Sequence, residues 1–323
     1  MNVLIGLKKF QLKNQEAREK MYNIFIIIIL YLFNFLYSEE KEKLPKLDLR
    51  NFNGNINNIE IGRSLDNILP DRSKENEIIL LDHQIEAIKL NAKQFEPKAV
   101  TDDDKIIIST NLGVMEFKFY NKESPINSLN FKKLSNSKFY DKTLFHYVVP
   151  KFIIQGGDIL SRNQNPDDDG HGGPGWVVDA DHNQLNHKRG TLSMVRSPND
   201  ENSAGSQFFI SLNNNNNLDG KYTVFAYLID GDHIMSRIAN VSSEYKQAKL
   251  LCKINIPENE DSKNWVKVYD PIVKKYIYSK IPIEQNKKDY KEILQKRLNN
   301  TFRPGIPVII DSVRVVDEKN INK

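Results

Sequence analysis

The side chains able to do chemistry fall into a few groups. His171, Asp179, Asp181, His182 and His187 could offer metal ligands, but their spacing follows no helical or hairpin ligand pattern, so they read as a polar surface loop. Gly170-His171-Gly172-Gly173-Pro174-Gly175 has the glycines of a phosphate loop without the Lys-Ser/Thr that such a loop needs, and reads as a turn. Cys252 is the only cysteine, which excludes an internal disulfide and a zinc cluster of several cysteines. No metal or cofactor is expected. Two blocks rich in aromatic, aliphatic and amide side chains remain. One runs Phe-His-Tyr-Val-Val-Pro-Lys-Phe-Ile-Ile-Gln-Gly-Gly-Asp over residues 145–158; the other starts at Leu192-Ser193-Met194-Val195-Arg196 and runs on to Gly205-Ser206-Gln207-Phe208-Phe209-Ile210.

The elements that must position these blocks follow from the apolar periodicity. Residues 105–119 hold an apolar run, a turn containing Asn111 and Gly113, and a second run in which Met115, Phe117 and Phe119 alternate with polar residues, which predicts a β-hairpin. Residues 125–134 predict a short helix with Ile126, Leu129, Phe131 and Leu134 available for its buried face. Strand-like segments at 145–149, 152–155, 191–195, 207–212 and 224–228 are separated by Gly, Pro, Asn and Asp, the pattern of a closed antiparallel barrel or sandwich. A second helix is expected over 232–241. Residues 242–303 are lysine-rich, show no clear periodicity and contain Pro257, Pro271 and Pro282. The apolar strand at 307–316 then needs a partner in the sheet, so the stretch before it reads as an insertion into one domain.

The two blocks together, with Leu218-Asp219-Gly220-Lys221 followed by Val224-Phe225, resemble the signature of the cyclophilin peptidyl-prolyl isomerases. The resemblance covers residues 103–240 and resumes at 307–316; the segment 189–210, with Asn202-Ser203-Ala204-Gly205 inside it, is closest in type to bacterial cyclophilins. It implies a mainly β fold: a closed eight-stranded antiparallel barrel capped by two helices, here with an N-terminal extension and an insertion before the last strand. By resemblance, Phe152, Ile153, Phe209 and Leu218 match the family's proline pocket, and Gln155 and Gln207 its polar contacts to the substrate backbone. Val195 and Arg196 match the wall that holds the residue before the proline, and Tyr222 falls where many members have a histidine. Tyr147 stands at the position of the catalytic arginine. It exchanges a permanently charged five-donor fork for one neutral hydroxyl. Tyr147, Phe152 and Gln155 are the expected catalytic set, and Ile153, Val195, Arg196, Gln207, Phe209, Leu218 and Tyr222 the substrate-binding set. The resemblance implies a weak isomerase acting on proline-containing peptides or unfolded clients, or a proline-binding chaperone or assembly factor with catalysis impaired. Asn217, closing the run 213–217, takes the place of the family's groove tryptophan, so weak or no cyclosporin binding is expected.

With 46 basic and 42 acidic side chains the net charge is only +4, and no lysine cluster alternates with aromatic residues along the chain, so no nucleic-acid partner is expected. Residues 1–38 read as a signal peptide or signal anchor: basic residues precede the apolar run 24–36, and acidic ones follow it. The run is short for a spanning helix, which needs about 20 apolar residues. Met21 offers an alternative start directly before it. The expected address is the secretory pathway or an organelle reached through it, with membrane contact only through an uncleaved leader. Residues 39–102 read as a polar linker with a helix near 78–94, and 103–317 as the cyclophilin-like domain containing insertion 242–305.

Overall fold

The computed structural model describes residues 79–163 and 165–321. In chain order the strands are β1 (Asp104–Thr110), β2 (Gly113–Phe119), β3 (Tyr147–Val149), β4 (Ile153–Gly156), β5 (Thr191–Met194), β6 (Phe208–Ser211), β7 (Val224–Asp230), β8 (Cys252–Lys253), β9 (Trp265–Asp270), β10 (Lys275–Lys280) and β11 (Ile310–Asp317). The helices are α1 (Asp82–Gln94), α2 (Pro125–Asn136), α3 (Asp232–Ala239), α4 (Glu244–Leu250), α5 (Lys287–Asn299) and α6 (Glu318–Ile321). The leader 1–38 and the first part of the expected linker lie outside the described residues.

Alternation along β1 and β2 sends Ile106, Ile108, Met115 and Phe117 to one face, where all four are fully buried. Gly113 sits at φ +134°, and a Cβ there would lie 2.3 Å from Ile234 of α3, so the turn and the helix can meet only at a glycine. The eight strands of the main sheet follow the order β11-β1-β2-β7-β5-β6-β4-β3, with antiparallel pairing throughout. The sequence expectation was a closed barrel. The ladder is instead open between β3 and β11, and irregular chain spans the seam: Lys142 N donates to Ile310 O at 2.7 Å, Ile310 N to Thr143 O at 2.8 Å, and Phe145 N to Val308 O at 2.9 Å. β3 is only three residues long, too short to carry the pairing across.

Inside the sheet an aromatic cluster forms around Phe131, whose ring centroid lies 5.2 Å from Tyr140, 5.4 Å from Phe208 and 4.9 Å from Phe225. Each such pair contributes about 0.5–1.5 kcal/mol beyond its area. The Tyr140 hydroxyl donates to Ser206 O at 3.0 Å, so its burial leaves no polar atom unmet. The buried face of α2 differs from expectation: Phe131 and Leu134 are covered, whereas Ile126 and Leu129 are exposed. Asn127 and Asn130 take the inner positions instead. Asn127 donates to Asp181 at 2.8 Å, and Asn130 donates to Gly205 O at 2.8 Å while accepting from Trp176 at 3.0 Å. Hydrogen bonds to the loops over α2 outweigh burying two more aliphatic side chains.

Two further expectations need correction. Residues 79–102, read as part of a linker, pack on the domain: α1 buries Ile85 and Ala92 in the main core, and Leu80 N donates to Arg162 O at 2.6 Å. Residues 242–303, read as lacking periodicity, contain α4, α5 and a three-stranded sheet in the order β8-β10-β9. They close on their own core of Ala248, Val266, Val268, Ile277, Tyr290, Leu294 and Leu298. The ends of this unit are zipped together. Glu244 N donates to Arg303 O at 2.9 Å and Gly305 N to Ser242 O at 2.7 Å, so the chain leaves and re-enters the main domain at one place.

Candidate functional site

Cross-strand register sets out a row of side chains on the outer face of the sheet. Tyr147 of β3 pairs with Gln155 of β4, Gln155 with Phe209 of β6, and Phe209 with Ser193 of β5. Directly opposed residues share a face, and neighbouring strands lie about 4.8 Å apart. The intervening residues Val148, Ile154, Phe208 and Leu192 point inward and are buried. Ile153 belongs to the next row with Ser211 and keeps the outer face. Phe152, immediately before β4, is 38 % exposed, and its carbonyl accepts from Leu212 N at 2.8 Å.

One end of the row is tightly built. Phe209 is buried although it faces outward, because the His187 ring stacks on it at 5.8 Å and 9° and Tyr222 meets it edge-on at 5.6 Å. His187 is fully buried and its Nδ1 lies 2.9 Å from Asp219. Burial pulls the His187 pKa below its ordinary value against the pull of Asp219, while the His187 backbone N–H holds Asp219 below the usual carboxylate range. Gln155 Nε2 donates to Gln207 Oε1 at 2.9 Å, and Gln207 Nε2 donates to Gly170 O at 2.8 Å and Gly172 O at 2.9 Å. Gln207 is committed by these bonds, whereas the Gln155 carbonyl accepts from no group among the described residues.

The loop that holds Gln207 depends on Asp158. This buried carboxylate accepts from Leu160 N at 2.8 Å and from Gly170 N, and a Cβ at Gly172 would fall 2.0 Å from it. Burial raises the Asp158 pKa, with His146 opposing; burial lowers that of His146, with Asp158 and Asp169 opposing.

Arg196 lies at the pocket side of the row. It donates to Lys221 O at 2.6 Å, Ser197 O at 2.7 Å and Pro198 O at 3.1 Å, and its guanidinium sits 5.0 Å from the centre of the Tyr222 ring. Val195 N donates to Gln207 O at 2.9 Å. With three carbonyls and an aromatic face engaged, Arg196 is held three strands away from Tyr147 and does not supply charge there. Leu218 is half-buried in the turn Asn216–Leu218, joined to this group through its carbonyl, which accepts from Tyr222 N at 3.3 Å. Asn217 is exposed.

The other end is open. Tyr147 is 37 % exposed, and among the described residues its hydroxyl has no hydrogen-bond partner. Partial burial moves its pKa upward, so it is a neutral phenol near pH 7. Its ring packs against Phe302 at 5.3 Å and 63°, and Val148 N donates to Phe302 O at 2.8 Å. The sequence reading missed Phe302. No spacing signal ties it to Tyr147, because the contact depends on where the insertion returns.

His182 lines a pocket with Arg196 and Tyr222, His171 sits in the 170–172 loop that holds Gln207, and among the described residues no group of three or more His, Cys, Asp or Glu side chains is arranged to hold a metal. None of the described helices is long and apolar enough to cross a membrane.

Residues 105–259 match the family model of the cyclophilin type peptidyl-prolyl cis-trans isomerases. A peptidyl-prolyl cis-trans isomerase of Acinetobacter baylyi is 39 % identical over 139 residues, covering 42 % of this chain and 71 % of the relative. One from Synechococcus elongatus is 37 % identical over 128 residues, covering 40 % and 82 %. A crystal structure of a Cryptosporidium parvum cyclophilin type isomerase in the presence of the dipeptide Ala-Pro aligns over 66 % of this chain and 98 % of that one, with 25 % identity and a TM-score of 0.44.

Proposed function

The chain belongs to the cyclophilin-type peptidyl-prolyl cis-trans isomerases, and on that premise we propose that its groove binds X-Pro segments well and isomerises them weakly. Rotation about the X-Pro bond faces a barrier of about 18–20 kcal/mol from amide conjugation. A protein lowers it by seating the proline ring in an apolar pocket, holding the flanking backbone and donating to the prolyl nitrogen as conjugation is lost. No nucleophile or proton transfer is needed.

In this reading Phe209, Ile153 and Phe152 seat the ring, with Leu218 and Tyr222 at its margin. Gln155, oriented by Gln207, meets the substrate backbone, and Val195 and Arg196 hold the residue before the proline. Tyr147 is left as the donor. A phenol donates without the charge assistance that makes such bonds roughly twice as strong. Removing one preorganised donor costs about 2.7–4 kcal/mol, or about 100- to 1000-fold in rate. The observation carrying the proposal is the contrast along one row: Phe209 and the Gln155–Gln207 pair fixed at one end, an unpaired phenol at the other. The engagement of Arg196 favours the further reading of a proline-binding chaperone or assembly factor.

The test is Tyr147→Arg in a protease-coupled proline-peptide assay. A rise of about 100-fold or more in kcat/KM is expected; no change beside robust wild-type turnover would mean that another donor does the work.

The same reading takes 103–317, with α1 packed on it, as the functional domain with insertion 242–305, the bacterial type as its subgroup, and the stretch before α1 as the connection to the leader. Residues 1–38 act as a signal peptide or signal anchor for the secretory pathway or an organelle reached through it. Mass spectrometry of the mature amino end tests this; an intact Met1 in a protein recovered free of membrane would refute it.

A further inference from the structure

The insertion ends against the groove. The chain leaving α5 brings Phe302 beside β3, where its carbonyl accepts from Val148 N and its ring meets Tyr147. The placement is braced by several contacts around the ring. Arg303, largely buried, lies 3.5 Å from Asp169 and 3.6 Å from Glu244 and donates to Pro166 O, while Lys296 of α5 lies 2.5 Å from Asp167. Both aromatic rings nevertheless keep over a third of their surface open, Tyr147 at 37 % and Phe302 at 36 %. Two partly exposed rings set at 63° form an apolar angle into which a third ring or a branched aliphatic side chain can pack.

We propose that Tyr147 and Phe302 form a subsite for an aromatic or large aliphatic side chain two or three residues after the proline. This rests on the reading that the groove holds X-Pro segments. With the proline on Phe209 and the preceding residue at Val195–Arg196, the departing chain crosses Gln155 toward Tyr147. Two interstrand steps, about 10 Å, separate β6 from β3. Three extended residues cover that distance. The insertion thereby adds a contact at the end of the row where the arginine is missing, and makes the protein selective for the side chains on the C-terminal side of the proline.

The experiment titrates the whole protein and its Phe302→Ala variant with two isotope-labelled peptides of the same Ala-Pro core. One carries phenylalanine at the second and third positions after the proline, and the other is alanine throughout. Wild type is expected to bind the phenylalanine peptide about tenfold more tightly, and Phe302→Ala to bring it down to the level of the alanine peptide. Equal binding of the two peptides by wild type, or an equal loss for both in the variant, overturns the proposal. If Phe302→Ala does not fold, the ring resonances of Phe302 in wild type decide: shifts confined to the phenylalanine peptide support the subsite, and their absence overturns it. If wild type binds neither peptide, the reading of the groove itself has failed, a result distinct from binding without selectivity.

Discussion

The two ends of the outer row differ in how they are held. At the Phe209 end, side chains are buried against one another and held by a set of hydrogen bonds, His187 Nδ1 with Asp219, Gln155 with Gln207, and Gln207 with the 170–172 loop, while His187 Nε2 and Ser193 Oγ are buried with no partner among the described residues. At the Tyr147 end a half-open phenol leans on a ring from an insertion and pairs with nothing among the described residues. If the groove works as proposed, it keeps its grip on proline without the charge that eases the twist, because the two tasks lie on different strands with separate supports.

The sharpest way to break this contrast is at its buried end. Phe209→Ala should cost about 3–5 kcal/mol of stability, as large aromatic deletions do. It should also abolish capture of proline peptides, read by urea unfolding and peptide titration; unchanged peptide affinity would remove Phe209 from the pocket. A smaller effect concerns the wall at Asn217. Without a tryptophan anchor worth at least about 2 kcal/mol, cyclosporin should bind more than about 30-fold more weakly than nanomolar in calorimetry, and a nanomolar constant would contradict the assignment of that wall.

The smallest effect is in pH. Burial lowers the pKa of both His146 and His187, so the unfolded chain takes up protons near the ordinary value of about 6.5 while the fold still refuses them. Their contribution is full above that pH and is lost as pH falls from there through the lower folded values. Asp158, raised by burial, runs the other way: its contribution is present below about 3.9 and fades as pH rises through its folded value. The histidine effect is therefore clearest just below pH 6.5. Going from pH 7.5 to 5.5 should remove about 1 kcal/mol and lower Tm by roughly 2–4 °C, measured by calorimetry. A flat Tm would mean that the two rings are not held neutral.

Much of the main sheet was legible because its alternation is strict: Ile106, Ile108, Met115 and Phe117 announce an inner face, and the turn residues divide the strands. The open seam was not, since it depends on the brevity of β3 rather than on any pattern. In the insertion, Val266 and Val268 flank Lys267 at strand spacing, and Tyr290, Leu294 and Leu298 recur every four residues, a signal masked by the surrounding lysines and prolines. The inner positions of Asn127 and Asn130 are explained by loop carbonyls and carboxylates far away in the chain. Motif resemblance singled out Tyr147, Gln155, Gln207 and Phe209, and the register sets three of them in one row. Phe302 stayed hidden, because a contact created by the return of an insertion has no local signature.

The most direct measurement is exchange NMR on an X-Pro peptide with a small fraction of wild-type protein, reading occupancy and cis–trans exchange in the same sample. The expected result is clear binding, with resonances of Phe209 and Ile153 perturbed, and exchange accelerated about 100-fold or more less than by the Tyr147→Arg variant. Wild-type exchange as fast as that of the variant would contradict the claim that the uncharged phenol limits the reaction.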